Sequence, residues 1–124
     1  MDFLSNLFGG SSKNQVDPGQ VQLLISQNPR PFLLDVRTLQ EFQEGHINGS
    51  VSIPLGDLTN RLNRIPKDKV VVCICASGSR SSIAARQLEA AGYQVKNMKG
   101  GIAKWIHAGL PVSKAVGPNG RRSK

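Results

Sequence analysis

An unbroken apolar run at residues 70–74 constrains the fold of this chain more than any other feature of its sequence. A run without alternating polar residues is typical of a strand buried on both faces, as in the parallel sheets of α/β proteins. It is followed by Cys75, by four small residues and by Arg80. From Ile83 onward apolar residues recur at helical spacing, so the pattern predicts a strand, a short loop and a helix.

The predicted helix places this loop at one edge of the sheet. The residues expected to face inward from the helix are Ile83, Ala84, Gln87, Leu88 and Ala91, and Gly92 follows its end. Open α/β sheets bind their ligands outside the carboxyl ends of the strands. We therefore expect Cys75 at an edge where a substrate can reach it while its backbone stays anchored.

The loop after the strand can stabilise a thiolate through its backbone. Successive N–H groups in a tight turn form an anion-binding nest, and the first turn of a helix adds unpaired donors. Gly78 permits a positive φ, its small neighbours let the amides of residues 76–80 converge, and Arg80 would add a positive charge near Cys75. Thiosulfate, phosphate, arsenate or a persulfide could occupy such a nest. The alternative is a buried structural cysteine followed by an ordinary polar loop.

Strands and helices alternate along the rest of the chain. Strands are predicted at residues 15–16, 32–36 and 51–53 and from residue 93, and helices at residues 18–26, 39–44, 55–65 and 102–108. The residues expected to face the core from these helices are Val21, Leu23, Leu24, Ile25, Leu58, Leu62, Ile65 and Trp105. Right-handed crossovers then give an α/β fold, a small parallel sheet of about five strands with helices on both faces.

Four segments together resemble the rhodanese family. The loop Cys75-Ala76-Ser77-Gly78-Ser79-Arg80-Ser81 is similar to its active-site pattern Cys-x-x-Gly-x-Arg-Ser. The other segments follow the family's order: Leu34-Asp35-Val36-Arg37 with Glu41-Phe42, then residues 45–54, then Gly100-Gly101-Ile102 with Trp105 and residues 109–112. The resemblance covers roughly residues 16–112 and implies a single rhodanese-like domain.

The resemblance implies a reaction and a set of site residues. In this family the cysteine takes a sulfane sulfur from a donor as a persulfide and passes it to a thiophilic acceptor. Cys75 is accordingly the candidate catalytic residue of a ping-pong sulfurtransferase. The candidate substrate-binding residues are Ala76, Ser77, Gly78, Ser79 and Arg80.

Two charged residues and two histidines are further candidates. The Asp-Val-Arg segment lies close to the active-site loop in the family, so Asp35 could orient the loop and Arg37 could attract the donor anion. The alternative is an ion pair that ties the strand end to neighbouring loops. His46 could act as a base for a thiol, but we interpret it as loop structure. His107 is a weaker candidate for a catalytic base than His46.

The donor and the reaction class have alternatives. Members specialised for thiosulfate and cyanide often carry cations where this chain has Ala76 and Ser77, so the donor is expected to be thiosulfate or a persulfide, with a polysulfide or partner protein also open. A second hypothesis for the reaction is that of a cysteine-dependent phosphatase or arsenate reductase. The related phosphatases have one more residue between cysteine and arginine, so the shorter Cys75–Arg80 spacing favours sulfur. A third is a non-catalytic sulfur-relay or binding module, although such domains often lack the cysteine.

The sequence predicts no disulfide, no metal site and no cofactor. We expect the side chains of Cys73 and Cys75 to point to opposite faces of the strand, with Cys73 in the core, which would exclude a disulfide. Free thiols favour a reducing compartment. A Cys-x-Cys pair with two distant histidines lacks the spacing of a zinc site, so no metal is expected. No nucleotide fingerprint or phosphate loop is present, so no cofactor is expected.

Length and charge limit the organisation and the partners. The 124 residues, with a net charge of +8, predict one domain at residues 15–113. A flexible leader, or short amphipathic helix, is expected at residues 1–14 and a basic disordered tail at residues 114–124.

The aromatic residues do not alternate with the basic ones, so no nucleic-acid partner is predicted. Without a signal peptide or membrane span we expect a cytoplasmic monomer with no stable membrane insertion. Its partners would be a small anionic sulfur donor and a thiol or protein acceptor.

Overall fold

Residues 14–114 are described by a computed structural model. The strands are β1 (Gln15–Val16), β2 (Phe32–Asp35), β3 (Val51–Ser52), β4 (Val71–Ile74) and β5 (Val95–Met98). The α-helices are α1 (Pro18–Ile25), α2 (Leu39–Glu44), α3 (Ser79–Ala90) and α4 (Gly101–His107), and two 3₁₀-helices span Leu55–Asn60 and Leu62–Arg64. The predicted leader up to residue 13 and the tail from residue 115 lie outside the described residues.

The five strands form one parallel sheet in the order β1-β5-β4-β2-β3. This confirms the predicted fold class. All four residues of β4 are buried, as expected for a strand with neighbours on both edges and helices on both faces. The register places Asp35 of β2 opposite both Ile74 of β4 and Ser52 of β3. The carboxyl ends of three adjacent strands therefore lie in one row.

The sheet separates two apolar cores. Cys73 and Cys75 contribute to the core beneath α3 and the 3₁₀-helices, whereas Val72 and Ile74 contribute to the core beneath α1 and α4. The expectation that the two cysteines point to opposite faces is wrong, because side chains two residues apart in a strand share a face. Both are free thiols. Cys73 is a core residue, as predicted.

Helix α3 buries part of its predicted face, since Ala84 and Leu88 are in the core and Ala91 packs against it. Its buried residues are Ser81, Ala84, Ala85 and Leu88, which is the i, i+3, i+4, i+7 series of one helical face. Ile83 is 40% exposed because it lies outside that series, and Gln87 is exposed as well. The predicted helix end is confirmed, since Gly92 follows it with a φ of 92°.

Two other sequence predictions need correction. In α1, Val21 is buried and Leu24 and Ile25 pack against the core, but Leu23 is 63% exposed because it lies about 100° around the helix from Leu24. The single helix predicted at residues 55–65 is instead the two 3₁₀-helices. Arg61 separates them at a φ of −129°, which is not helical. Leu58 and Ile65 are nevertheless buried, as predicted.

Several features of the structure follow from local sequence signals. Asp17 caps α1 and Thr38 caps α2, each in a capping box with the residue three positions later. Trp105 is buried, and its indole Nε1–H donates to the Pro111 carbonyl over 2.9 Å. Strand β5 begins at Val95, two residues later than predicted, because the Tyr93 backbone N–H donates to the Leu88 carbonyl at the end of α3. Within residues 14–114 no helix has the length and apolar character to cross a membrane.

Candidate active site

Cys75 is the first residue after β4, at the carboxyl edge of the sheet. The predicted strand, loop and helix are all present, with the loop running from Cys75 to Gly78 and α3 starting at Ser79. The side chain of Cys75 is more enclosed than expected, since the residue is 0% exposed. Ser77 and Ser79, which follow it in the loop, are exposed. The sulfur is thus closed off from solvent, whereas the sequence predicted a position that a substrate can reach.

Four donors stabilise the Cys75 thiolate. The Gly78 backbone N–H donates to Sγ over 3.0 Å, and the hydroxyl of the buried Ser81 donates over 3.3 Å. Burial by itself raises the pKa of the Cys75 thiol. The hydrogen bonds from the Ser81 side chain and from the backbone of Ser81, Gly78 and Ser77 outweigh burial, so that pKa lies below its ordinary value.

The N–H groups of the loop converge on one side because N–H groups of α4 hold the loop carbonyls on the opposite side. The Cys75 carbonyl accepts from Ile102 N–H over 2.9 Å, and the Ala76 carbonyl accepts from Ala103 N–H over 3.1 Å. In a trans peptide the C=O and the following N–H point in opposite directions. The N–H groups of Ala76 and Ser77 therefore point away from α4, toward the face of the sheet that carries Sγ.

Asn97 of β5 fixes the third carbonyl of the loop. Its buried side chain donates through Nδ2 to the Gly78 carbonyl over 3.2 Å and to Gln15 Oε1 over 3.1 Å. Together with the Ser82 N–H, which donates to the same carbonyl over 3.2 Å, this hydrogen bond fixes the position of Gly78 between the loop and α3. Gly78 itself has a φ of 104°, a conformation that favours glycine.

Gly101 lets the first turn of α4 approach the loop closely. It has a φ of 62°, and a Cβ atom at this position would overlap the backbone of Ala76 and the carbonyl oxygen of Cys75. Only glycine gives room for the hydrogen bonds from Ile102 and Ala103. The Gly-Gly pair before α4 is thus part of the architecture that shapes the loop.

Arg80 lies at the end of the loop and is paired with a carboxylate from α2. Its Nη1 and Nη2 donate to the two Glu41 oxygens over 2.8 and 2.9 Å. The Arg80 guanidinium is the main reason that the pKa of Glu41 is lowered to about 2, and the Glu41 carboxylate raises the pKa of Arg80 in turn. Both side chains are about one third exposed. The bidentate pair links the active-site loop to α2.

The other predicted site residues make structural contacts. Arg37 and Asp35 form a buried ion pair at 2.8 Å, and Arg37 Nη2 also donates to the Gly45 carbonyl over 2.7 Å. The ring of the buried His46 stacks on Phe42 with centroids 3.8 Å apart, and its Nδ1 lies 2.7 Å from the Phe42 carbonyl oxygen. These contacts match the ion-pair and loop-structure alternatives. His107 is exposed on α4.

The sequence interpretation did not single out three residues that shape this site. Ser81 was part of the motif but received no role, and its only signal is its place in the first turn after the loop. Asn97 gave no signal beyond being a polar residue in an otherwise buried strand. Glu41 belongs to a segment that resembles the family but received no role there, and in the structure it caps α2 and holds Arg80.

Comparison with known proteins agrees with this architecture. Residues 17–108 match the family model of the rhodanese-like domain. A protein named sulfurtransferase from Allochromatium vinosum is 35% identical over 86% of this chain and 98% of its own length. A putative sulfur carrier protein, YrkF of Bacillus subtilis, is 39% identical over 59% of this chain but only 40% of its own length. The crystal structure of a rhodanese-related protein from Thermoplasma volcanium superposes with a TM-score of 0.75 and 31% identity, covering 80% of this chain and 96% of that one. This chain belongs to the rhodanese-like domain family.

Proposed function

We propose that this protein is a sulfurtransferase that carries a sulfane sulfur on Cys75. The observation behind this proposal is that Sγ accepts hydrogen bonds from Gly78 and Ser81 within a loop that lowers its pKa. A thiolate is the nucleophilic form of cysteine, and its reactivity depends on such a pKa shift. Membership of the family and the relative named sulfurtransferase support the same reaction class.

In the first half-reaction the Cys75 thiolate attacks the outer sulfur of the donor. With thiosulfate, a bond forms between Sγ and that sulfur, the sulfur–sulfur bond of the donor breaks, and sulfite leaves with the electron pair. Cys75 is left as a persulfide anion. The Ala76 and Ser77 N–H groups point to the side where this negative charge lies, so they serve with the Gly78 N–H as a preorganised electrostatic hole.

In the second half-reaction the acceptor attacks the outer sulfur of the Cys75 persulfide. The bond between the two sulfurs breaks and Sγ leaves as a thiolate, which the Gly78 and Ser81 hydrogen bonds stabilise as a leaving group. The acceptor is a thiol or a protein. A relative named as a putative sulfur carrier protein supports a protein partner in such a relay.

The charged residues of the site position the loop. Glu41 holds the guanidinium of Arg80, which keeps the end of the loop and the start of α3 against α2. Asp35 and Arg37 stabilise the adjacent strand end through their buried ion pair. Because both arginines are paired, we assign them to positioning the loop.

Mass analysis of the protein after incubation with thiosulfate, or with an organic persulfide, tests the proposal. One added sulfur is expected on the peptide that carries Cys75, and Cys75→Ser should abolish both that adduct and turnover. Cys73→Ser is the matched control and should keep most of the turnover, because Cys73 is a core residue within β4 and lies before the loop. A sulfur adduct that survives Cys75→Ser would overturn the assignment. A phosphoryl adduct on Cys75 after incubation with a phosphate ester would favour the phosphatase alternative.

A further inference from the structure

Strand β1 lies at one edge of the sheet and brings a glutamine next to Asn97. Gln15 is opposite Asn97 in the pairing of β1 with β5, and Asn97 is opposite Cys73 in the pairing of β5 with β4. Paired residues of neighbouring strands place their side chains on the same face of a sheet. The side chains of Gln15 and Asn97 therefore lie on the face of the active-site sulfur, which Cys73 shares.

The backbone of β1 holds Gln15 in this position. The Asn97 N–H donates to the carbonyl of Asn14, the residue before Gln15, over 2.7 Å. The Lys99 N–H donates to the carbonyl of Val16, the residue after it, over 2.7 Å. Hydrogen bonds to β5 thus fix the chain on both sides of Gln15, whose half-buried side chain points along the surface of the sheet to Asn97.

The hydrogen bonds of the Asn97 side chain make its orientation depend on Gln15. An asparagine amide has two N–H donors and one acceptor oxygen. Nδ2 donates to Gln15 Oε1 over 3.1 Å and to the Gly78 carbonyl over 3.2 Å. Oδ1 is buried and has no hydrogen-bond partner within residues 14–114. In the described part of the chain, only the two bonds from Nδ2 therefore orient this amide.

The bond from Asn97 to Gly78 matters because glycine has little conformational restraint of its own. Gly78 has a φ of 104°, and its N–H donates to Cys75 Sγ over 3.0 Å. Its carbonyl accepts from Asn97 and from the Ser82 N–H. Hydrogen bonds from β5 and from α3 therefore keep the Gly78 backbone in the conformation that directs its N–H at the sulfur.

Loss of the Gln15 acceptor would leave the Asn97 side chain with a single hydrogen bond. One N–H would then be buried without a partner, as Oδ1 already is. Buried polar groups without partners are uncommon in native proteins and cost free energy. The amide would lower this cost by turning toward other partners, and its bond to the Gly78 carbonyl would weaken.

We propose that Gln15 is a positioning residue for the active-site cysteine and acts through Asn97 on Gly78. The contacts run from Gln15 Oε1 to the Asn97 amide, from that amide to the Gly78 carbonyl, and from the Gly78 N–H to Sγ. Through them, the attachment of the edge strand β1 contributes to the acidity of the Cys75 thiol. This inference rests on the proposed function of Cys75, but none of its contacts involves a substrate.

Thiolate titrations in a double-mutant cycle test the inference. The pKa of Cys75 is measured by ultraviolet absorbance in the wild-type protein, in Gln15→Leu, in Asn97→Ala and in the double variant. Gln15→Leu removes the acceptor and should raise that pKa by about half a unit. In the Asn97→Ala background the same substitution should leave the pKa unchanged, because the residue that links Gln15 to the loop is missing. Gln94→Leu, at an exposed position, is the control and should also leave it unchanged.

An unchanged pKa in Gln15→Leu overturns the inference, and so does an equal rise in both backgrounds, since Gln15 would then act independently of Asn97. Hydrogen exchange followed by NMR gives a second test on the wild-type protein. The Asn97 side-chain amide hydrogens should exchange more slowly than those of the exposed Asn63, and equally rapid exchange contradicts the contacts. These measurements use no sulfur donor, so a failure of Cys75 to take up sulfur would reject the proposed function separately.

Discussion

Replacing Ser81 by alanine tests the physical basis of the proposed activity. The substitution removes the hydroxyl that donates to Cys75 Sγ over 3.3 Å and keeps the backbone N–H of the same residue. A hydrogen bond to a charged group contributes about 1.5–3 kcal/mol. Since one pKa unit corresponds to about 1.4 kcal/mol, the pKa of Cys75 should rise by roughly one to two units in Ser81→Ala.

The ionisation of Cys75 can be followed by the ultraviolet absorbance of its thiolate, with Cys75→Ser as the blank. Cys73 does not interfere, because burial raises its pKa to about 12. The wild-type transition should lie below the ordinary thiol value of 9.0 and should move toward that value in Ser81→Ala. Ser82→Ala is the matched control, since that neighbouring serine makes no hydrogen bond to the sulfur and should leave the transition in place. Sulfur transfer near neutral pH should fall with the thiolate fraction.

The same hydrogen bond predicts a pH dependence of stability. Because the folded-state pKa of Cys75 is lowered, its thiolate contributes stability that is fully present above the unfolded pKa of 9.0 and is lost as the pH falls through the folded-state pKa. Ser81→Ala should therefore lower the free energy of unfolding more above pH 9.0 than at a pH where the thiol is protonated. An unchanged thiolate transition in Ser81→Ala would refute the argument that this hydroxyl activates the sulfur.

Two further substitutions test how the later part of the chain shapes the loop. Gly101→Ala should lower the free energy of unfolding, measured by denaturant titration, by about 2–5 kcal/mol, because the added Cβ overpacks the loop and the backbone is left-handed. Gly56→Ala is the control. Because the space around Gly56 is open, this substitution should change the free energy of unfolding by less than about 1 kcal/mol. Asn97→Ala removes a hydrogen bond that holds Gly78, whose N–H donates to the sulfur, and leaves the Ser82 N–H on the Gly78 carbonyl. The thiol pKa should therefore rise, while the exposed control Asn63→Ala should leave it unchanged. Equal pKa values in the two variants would contradict a positioning role for Asn97.

The sequence predicted the order and type of the elements well because those depend on local patterns. The apolar run at residues 70–74 and the capping boxes at Asp17 and Thr38 act within a few residues. The faces of the short helices were harder to predict. Leu23 and Ile83 are apolar and exposed, and apolar residues outnumber the positions on the inward face of each helix. Only the packing decides which of them face the core.

The candidate site shows the same division between local and distant determinants. The loop, its glycine and its cysteine could be found from the sequence, because they are contiguous. The partner of Arg80 could not, since Glu41 lies 39 residues away and had a local explanation as a capping residue. Likewise, the Gly100-Gly101 pair indicates a close approach of two backbones but does not identify the loop that it approaches.

The two cysteines of this chain provide an internal comparison that explains why the reactive position lies at the end of the strand. Both are buried on the same face, yet burial raises the pKa of Cys73 to about 12 and the pKa of Cys75 is lowered. Cys73 lies within β4, where neighbouring strands on both sides use the backbone N–H groups for the sheet. At Cys75 the ladder has ended, so the amides that follow are free to turn toward the sulfur once α4 holds the carbonyls of Cys75 and Ala76. A thiol at position 73 is as buried as one at position 75 but lacks the hydrogen-bond donors. Its pKa should therefore not be lowered.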